Sequence, residues 1–296
     1  EDGYKFDRIK DSQINVMMGY DINTLTPLFS RIYQGSNLDK ISIKDTLIRH
    51  QFNNVLFVID RGFYSTDNIY AFSQNGNHYI IPLSPNLKEY KNITDEMKLD
   101  HEFIYENNKA YNTIEYKEYI SADKKTIVYR DMKQNAIDRA KYLKNMEINP
   151  EKYSQEKYDK VKEYFGVIVL QSSLKDWEAK EIYSKYKSRW KIETYYNYVK
   201  NDQNYGALEQ SDYYKLEGLA FIMLINGLIH AKMSKLIKER IKGKTVEDCI
   251  LDARFIKIHR VGKKWSIDNI KKKTLEMFEK LEIDLIKEYN ILNKIK

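Results

Sequence analysis

The sequence contains a single cysteine, Cys249, among its 296 residues. One thiol excludes an intramolecular disulfide and any cysteine-rich zinc site, and it suits a reducing compartment. Histidine is also scarce, and no two of the five histidines have the spacing of a metal-binding pair. These shortages predict a cytoplasmic protein without a zinc site.

Long apolar segments and a signal peptide are missing as well. The longest apolar run, "LAFIMLINGLIHA", is interrupted by Asn226, Gly227 and His230, and we expect it to be too short to span a bilayer. The chain opens with "EDGYKF" and has no initiator Met, which favours a fragment or a processed product. The hydrophobic fraction of 42% is enough for a sizeable core, and the net charge of +7 permits a polyanionic partner without requiring one.

The first part of the chain has the pattern of strands and a helix. The segments "INVMMGYD" and "TPLFSRIYQG" predict two adjacent antiparallel strands. An apolar period through Ile41, Ile43 and Leu47 then predicts an amphipathic helix. Residues 55–59 form a short apolar run that is typical of a strand buried on both faces, and this strand ends at Asp60.

The rest of the chain changes character three times. Residues 76–130 alternate apolar and polar side chains and predict antiparallel strands, whereas residues 133–164 are charged and predict exposed helices. "GVIVLQSS" predicts another buried strand, which leads into a long helical stretch and then into an apolar core helix. The residues from Thr245 onward predict short basic helices. This order of elements indicates an α/β core that is interrupted by a β-rich insertion.

The segment "YKSRWKIETYYNYVK" places Tyr186, Arg189, Glu193 and Lys200 at steps of three, four and seven residues. On a helix these four positions fall within an arc of about 60°, so they form one polar stripe. The stripe borders a packing face that we expect from the apolar and aromatic residues of the same segment: Ile192, Tyr195, Tyr196 and Val199. It has two interpretations: a site at the mouth of the core, or ordinary helical ion pairing such as Arg189 with Glu193.

Asp60 also has two interpretations. It follows a strand predicted to be buried, where α/β folds place functional groups, but an Asp at this point can equally start a turn or cap the next element. If Asp60 and Glu193 converge, they can bind Mg²⁺, which takes carboxylate oxygens together with substrate phosphate oxygens. Two such ions, about 4 Å apart, would serve phosphodiester cleavage. Arg189 and Lys200 would then hold phosphates.

Two further side chains near these carboxylates could contact a polyanion. Arg61 directly follows Asp60 and adds a cation, with Gly62 after it. Trp190 follows Arg189 and could stack on a base, although a Trp at the border of a packed face is more often part of the core. The sequence leaves both interpretations of Trp190 open.

Taken together, these motifs resemble the DDE transposases of bacterial insertion sequences, of the insertion-sequence-four type. The spacing of Tyr186, Arg189, Glu193 and Lys200 is similar to the Y-R-E-K signature of that family. "RWKIE" around the signature, "VIDRGFYS" around Asp60 and "PLFSRIYQGSNLD" upstream resemble the same family in the same order. The resemblance covers most of residues 3–235.

The resemblance implies an α/β fold with a ribonuclease H-like core, a β-rich insertion and a C-terminal helical region. The roughly 130 residues between Asp60 and Glu193 are too many for a loop and need a structure of their own. The expected divisions are residues 1–74 and 163–240 for the two parts of the core, 75–162 for a mainly β insertion with a helical end, and 241–296 for the helical region.

The resemblance also implies chemistry and partners. Asp60 and Glu193 would be catalytic and would bind two Mg²⁺ or Mn²⁺ ions, while Tyr186, Arg189 and Lys200 would contact DNA, with Arg61 and Trp190 beside them. The reaction would nick the transposon end by hydrolysis, and the freed 3′ hydroxyl would then attack DNA, with a hairpin as one route. The partners would be double-stranded DNA, as terminal inverted repeats and target, and a second copy in a homodimer at the bacterial nucleoid.

The family needs one more Asp, on a first core strand ahead of "INVMMGYD". Asp21 lies too late in the predicted strand order and is expected to be a strand-end or turn residue, and Asp2 and Asp7 have no buried strand around them. We therefore expect the first strand and its Asp to lie upstream of Glu1, so that the chain as given is catalytically incomplete. Two alternatives follow: a ribonuclease H-like nuclease or resolvase, and a non-catalytic DNA-binding derivative of a transposase.

Overall fold

A computed structural model of the chain describes residues 14–34, 39–95, 97–107, 110–199, 212–262, 264–267, 270–284 and 287. The fold of these residues is mixed α/β. The strands are β1 (Ile14–Asp21), β2 (Thr26–Gln34), β3 (Leu56–Val58), β4 (His78–Pro82), β5 (His101–Asn107), β6 (Ala110–Ile120), β7 (Lys125–Asp131), β8 (Val167–Ser172), β9 (Ile258–Val261) and β10 (Lys264–Ile267). The helices are α1 (Asp39–His50), α2 (Thr66–Phe72), α3 (Lys88–Asp95), α4 (Met132–Ile148), α5 (Gln155–Val161), α6 (Ala179–Lys187), α7 (Lys191–Asn197), α8 (Tyr213–Arg240), α9 (Val246–Ala253) and α10 (Lys272–Lys280).

The chain divides into two compact units. The first comprises Glu1–Met17 and Tyr33–Thr194, and the second comprises Met18–Ile32 and Tyr195–Lys296. The first unit contains the large sheet and the second contains the long helix α8. Each unit has hydrophobic clusters of its own.

The first unit is built on a six-stranded sheet with the order β3-β4-β8-β7-β6-β5. β3 and β4 are parallel, and the other neighbours are antiparallel. Apolar residues at alternate positions point to one face, because successive side chains of a strand lie on opposite sides. On that face Ile80, Ile127 and Leu170 are fully buried with Ile182 and Tyr183 of α6. This packing anchors α6 on the sheet.

β3 corrects the expectation of a strand that is buried on both faces. Its three residues, Leu56–Val58, are all only half-buried. In the described sheet β3 is a terminal strand with β4 as its one neighbour, so only part of its surface is covered. By contrast, the prediction for "GVIVLQSS" is confirmed, because the last four residues of β8 are buried in the interior of the sheet.

The other predicted elements of the first unit are largely confirmed. α1 forms where the helix was predicted, and Ile43 and Leu47 are buried in a cluster with Phe72. Ile41, the third residue of the expected apolar period, is 59% exposed, so that part of the prediction is wrong. The expected antiparallel strands appear as β4 to β7, but the short helix α3 interrupts them and was not predicted. The charged segment forms α4 and α5, and none of the residues of α4 is buried.

β1 and β2 pair with each other in a two-stranded sheet of their own. Four turn residues join them, a connection that only an antiparallel pair allows. Oδ1 of Asp21 accepts a hydrogen bond from the backbone N–H of Asn23 at 2.8 Å, and Oδ2 accepts one from Oγ1 of Thr24 at 2.7 Å. The prediction that Asp21 is a turn residue is therefore confirmed.

α8 of the second unit differs from the expected core helix. Five of its residues are buried, but Phe221 is 61% exposed and Ile222 and Ile229 are each 51% exposed. The helix has 28 residues and contains a window with a mean hydropathy of 1.3, so its length and composition alone would allow it to cross a membrane. The interrupted apolar run therefore belongs to a helix that is long enough to span a bilayer, contrary to the expectation from the sequence; the core helix of a soluble protein can have the same length and composition.

The sequence predicted only helices in the C-terminal part of the second unit, but the structure also contains a β-hairpin there. α9 and α10 are helices, and Val246, Cys249 and Met277 form a buried cluster with the end of α8. Between them β9 and β10 form an antiparallel hairpin, in which Lys264 pairs with Val261. Gly262, at the turn, has a φ of +61°, a conformation that favours glycine.

The two glycines of α8 give a test of packing in the second unit. A Cβ added at Gly227 would overlap the buried phenol of Tyr195, whereas one at Gly218 would meet nothing within 4 Å. We predict that Gly227→Ala lowers the free energy of unfolding by about 1–3 kcal/mol, because the packed ring has to move.

The matched control is Gly218→Ala, at an exposed position of the same helix. It gains helix propensity without a clash and should raise the free energy of unfolding by about 0.5–1 kcal/mol. Chemical denaturation followed by circular dichroism measures both variants. Equal effects of the two substitutions would contradict the packing of Tyr195 on Gly227.

Candidate functional site

Arg189 lies in a break between two helices. α6 ends at Lys187, a 3₁₀ turn covers Ser188–Trp190, and α7 begins at Lys191. The single helix that was expected for the signature is therefore interrupted. Because Ile182 and Tyr183 fix α6 in the core, the turn that follows holds Arg189 at a defined place.

Asp60 lies two residues beyond the end of β3. It immediately precedes a 3₁₀ turn, Arg61–Phe63, and its side chain makes no capping hydrogen bond with that turn. The turn is held from the other side, because Nδ2 of Asn68 donates a hydrogen bond to the carbonyl of Phe63 at 2.9 Å. The backbone carbonyl of Asp60 accepts a hydrogen bond from the N–H of Phe63, so Asp60 does start a turn, as one interpretation expected, but its carboxylate is not used as a cap.

The structure brings Asp60, Arg189 and Glu193 together. Nη1 of Arg189 lies 3.1 Å from Oδ2 of Asp60, and Nη2 lies 3.0 Å from Oε1 of Glu193. One guanidinium thus bridges two carboxylates that are far apart in the sequence. The ring of Tyr186 lies beside the same guanidinium, with 5.8 Å between the ring centroid and Cζ. Three of the four signature residues and Asp60 form one cluster in the first unit.

The charges of this cluster differ in their exposure. The side chain of Arg189 is 23% exposed, whereas those of Asp60 and Glu193 are 51% and 56% exposed. Burial opposes the charge of Arg189, but Asp60, Tyr186 and Glu193 outweigh it and raise the pKa of the guanidinium. Burial is also the largest cause of the raised pKa of Tyr186. The side chain of Arg189 therefore stays positively charged, and the two carboxylates are open to solvent.

Two solvent-exposed carboxylates that face one cation form a donor set of hard oxygens. Mg²⁺ needs only one or two protein carboxylates, because substrate phosphates and water complete its coordination. Asp60 and Glu193 fit that requirement. Among the described residues there is no group of three or more His, Cys, Asp or Glu side chains that could hold a metal ion.

The remaining residues that were predicted for the site have different positions. Arg61 is exposed next to Asp60, and its charge partly opposes the rise in the pKa of Tyr186 that burial causes. Trp190 is 53% exposed, so it is not a core residue and its ring is available for contact. The fourth signature residue, Lys200, lies outside the described residues.

Asp131 is a buried carboxylate that contacts α6, the helix before Arg189, and no sequence pattern predicted this contact. Oδ2 of Asp131 accepts hydrogen bonds from the hydroxyl of Tyr183 at 2.8 Å and from Nζ of Lys187 at 3.3 Å. Oδ1 accepts hydrogen bonds from Nδ2 of Asn112 at 2.6 Å and from the backbone N–H of Gln134 at 2.9 Å. Asp131 thereby connects β6, β7 and the first turn of α4 to α6.

Comparisons with known proteins identify one family. Residues 2–230 match the family described as "Transposase DDE domain". No curated protein sequence matches the chain significantly. A solved structure, the cryo-EM structure of a piggyBac transposase synaptic complex with hairpin DNA, is similar with a TM-score of 0.43 and 9% identity. The similarity covers 90% of this chain and 45% of that one, so the chain spans less than half the length of that transposase.

Proposed function

Because the chain belongs to the transposase DDE domain family, we propose that it is the catalytic part of an insertion-sequence transposase of the insertion-sequence-four type. The observation that carries this proposal is the convergence of Asp60, Arg189 and Glu193. Nothing in the local sequence brings Asp60 to Glu193, yet both contact one guanidinium. A pair of carboxylates next to a fixed cation suits a reaction at a phosphodiester, which brings negative charge to the site.

In this proposal Asp60 and Glu193 hold two Mg²⁺ or Mn²⁺ ions. When bound, the ions would activate a water molecule and stabilise the leaving oxygen. Arg189 and Lys200 bind the phosphates on either side of the scissile bond, Arg189 with two N–H groups and Lys200 as a point charge. Arg61 adds a second exposed cation. The exposed ring of Trp190 supplies aromatic surface on which a base can stack, and Tyr186 contacts the DNA beside Arg189.

The proposed reaction has two steps. In the first, water attacks a phosphorus atom at the end of the insertion sequence, the P–O3′ bond breaks, and a 3′ hydroxyl and a 5′ phosphate form. In the second, the 3′ hydroxyl attacks a phosphodiester of DNA, forms a new P–O3′ bond and expels the oxygen of the attacked strand. One route passes through a hairpin, in which the 3′ hydroxyl attacks the opposite strand; water then opens the hairpin and regenerates the 3′ hydroxyl, which attacks the target DNA.

We propose the same division of the chain that the resemblance implies. Residues 1–74 and 163–240 would form a ribonuclease H-like core, residues 75–162 an insertion and residues 241–296 a helical region. The segment between Asp60 and Glu193 has a structure of its own, because β4 to β7 and the helices α3 to α5 lie within residues 75–162, with these strands in the same sheet as β3 and β8. A third carboxylate from outside the described residues would complete the site. The protein would act as a homodimer on double-stranded DNA in the bacterial cytoplasm.

A cleavage assay tests the proposed function. The full protein is mixed with a linear duplex that contains both ends of its insertion sequence, with Mg²⁺ or with a chelator. We expect strand breaks with 3′ hydroxyl groups at the ends of the insertion sequence, and none with the chelator. Breaks without regard to position would favour a general nuclease. Tight binding of the duplex without any break would favour a non-catalytic derivative.

A further inference from the structure

The position of Arg189 indicates a second role for this residue, in addition to the proposed binding of phosphates. Its two terminal nitrogens each contact a different carboxylate, at 3.1 Å for Asp60 and 3.0 Å for Glu193. These are the two carboxylates that the proposed function assigns to cation binding. The guanidinium therefore lies where it neutralises both of them in the free protein.

Electrostatics explains why the guanidinium stays there. Two carboxylates that are brought close together repel each other, and a single cation between them removes most of that repulsion. Arg189 is always charged, and both of its terminal nitrogens contact a carboxylate. A divalent cation that approaches Asp60 and Glu193 meets this positive charge first. Binding of the cation then requires the guanidinium to give up at least part of its two ion pairs.

Arg189 has hydrogen-bonding capacity that the two carboxylates do not use, and this capacity indicates which ligand could compete with them for the guanidinium. Its Nε–H is buried and has no hydrogen-bond partner in the described part of the chain. A guanidinium that leaves the carboxylates can offer its N–H groups to a phosphate in a bidentate contact. A DNA phosphate is therefore a better partner than two half-exposed carboxylates, whose ion pairs are weakened by solvent.

We propose that Arg189 is an internal counter-ion which couples the binding of DNA to the binding of divalent cations. This inference rests on the proposed function. In free protein the guanidinium competes with the cation for Asp60 and Glu193. When a DNA phosphate captures the guanidinium, the carboxylates become available and the affinity for the cation rises. By thermodynamic linkage, the bound cation raises the affinity for DNA by the same factor.

Binding of Mn²⁺ to the 296-residue chain tests this proposal without any cleavage. Electron paramagnetic resonance measures the concentration of free Mn²⁺. The ionic strength is kept constant because salt screens the exposed ion pairs of Arg189. We expect Arg189→Gln to bind Mn²⁺ about tenfold more tightly than wild type in the absence of DNA. A short duplex should tighten Mn²⁺ binding to wild type by a similar factor and leave Arg189→Gln unchanged.

Two controls assign the effect to the bridging position. Arg61→Gln removes one positive charge next to Asp60, but from an exposed side chain. It should change Mn²⁺ affinity less than threefold if position matters more than net charge. Glu193→Gln should remove the measured binding in both the wild-type and the Arg189→Gln background, which identifies the titrated site.

The outcomes separate this inference from the proposed function. Equal Mn²⁺ affinity of wild type and Arg189→Gln, or equal gains from Arg189→Gln and Arg61→Gln, would overturn the counter-ion role even if the protein cleaves DNA. A tenfold gain for Arg189→Gln would support it even if no cleavage occurs.

Arg189→Lys, which keeps the charge but cannot bridge two carboxylates, should bind Mn²⁺ with intermediate affinity. Thermal unfolding of each variant verifies that it is folded.

Discussion

Replacement of Glu193 by Gln should abolish cleavage at the ends of the insertion sequence and leave DNA binding intact. Gln has almost the same size and shape as Glu but lacks the negative charge that a divalent cation needs. We expect the rate of cleavage with Mg²⁺ to fall by at least about 10³-fold, which corresponds to about 4 kcal/mol of transition-state stabilisation. Single-turnover cleavage of a labelled duplex measures the rate.

DNA binding should survive because the DNA contacts are assigned to other residues. Arg189 keeps its ion pair with Asp60 when Glu193 is neutral. Removal of a negative charge next to phosphates should strengthen binding slightly, if it changes at all. An electrophoretic mobility assay in the presence of a chelator measures this affinity. Undiminished cleavage by Glu193→Gln would refute the assignment of the site.

Asp60→Asn gives an independent measurement of the same pair. It should reduce cleavage as strongly as Glu193→Gln, because the two carboxylates would share the same ions. The double variant should be little worse than either single variant, since residues that act as a unit are not additive. The matched control is Asp21→Asn, whose carboxylate is used in a turn, and this variant should cleave DNA at a normal rate.

The cluster around Arg189 shows which parts of the site could be predicted from the sequence. The pair of Arg189 and Glu193 could be predicted because residues four apart on a helix are neighbours. The contact of Arg189 with Asp60 could not, because no local pattern connects residues on opposite sides of an insertion. It took the anchoring of α6 on the sheet through Ile182 and Tyr183 to bring them together.

The fold shows the same division between local and non-local information. β1, β2, α1 and β8 were predicted because each has a clear apolar period or run. α3 was missed because it lies inside a segment that was interpreted as alternating strands, although its buried residues Tyr90 and Thr94 are four apart, as on one face of a helix. The partial burial of β3 depends on its place in the order of strands, which a single strand's sequence does not encode. The exposed side of α8 depends in the same way on packing.

Asp131 is the residue whose removal should destabilise the first unit most among the polar side chains considered above. It is 8% exposed and accepts four hydrogen bonds, from Asn112, Gln134, Tyr183 and Lys187. The contact with Gln134 caps α4, and the loss of such a cap costs about 1 kcal/mol. The loss of an acceptor for the fully buried hydroxyl of Tyr183 costs about 1–3 kcal/mol more.

We therefore expect Asp131→Ala to lower the free energy of unfolding by about 3 kcal/mol, measured by urea denaturation with circular dichroism. Ser154→Ala is the matched control, because Ser154 caps α5 with a single hydrogen bond to the backbone N–H of Lys157. This variant should lose only about 1 kcal/mol. Equal losses for the two variants would show that Tyr183 and Lys187 contribute nothing through Asp131.

The pH dependence of stability gives a second test of Asp131, because folding changes its affinity for protons. Burial tends to raise the pKa of the Asp131 carboxyl, but the hydrogen bonds from Gln134, Asn112 and Tyr183 and the charge of Lys187 outweigh it, so its pKa is lowered. The stabilisation by the ionised carboxylate is complete above the ordinary pKa of Asp, about 3.9, and is lost as the pH falls through the lower pKa of the folded protein.

Asp131→Asn cannot titrate at this position. The stability advantage of wild type over Asp131→Asn should therefore be constant from neutral pH down to about pH 5 and should shrink below pH 4. An advantage that does not change with pH would mean that Asp131 is not held as a carboxylate by these four donors.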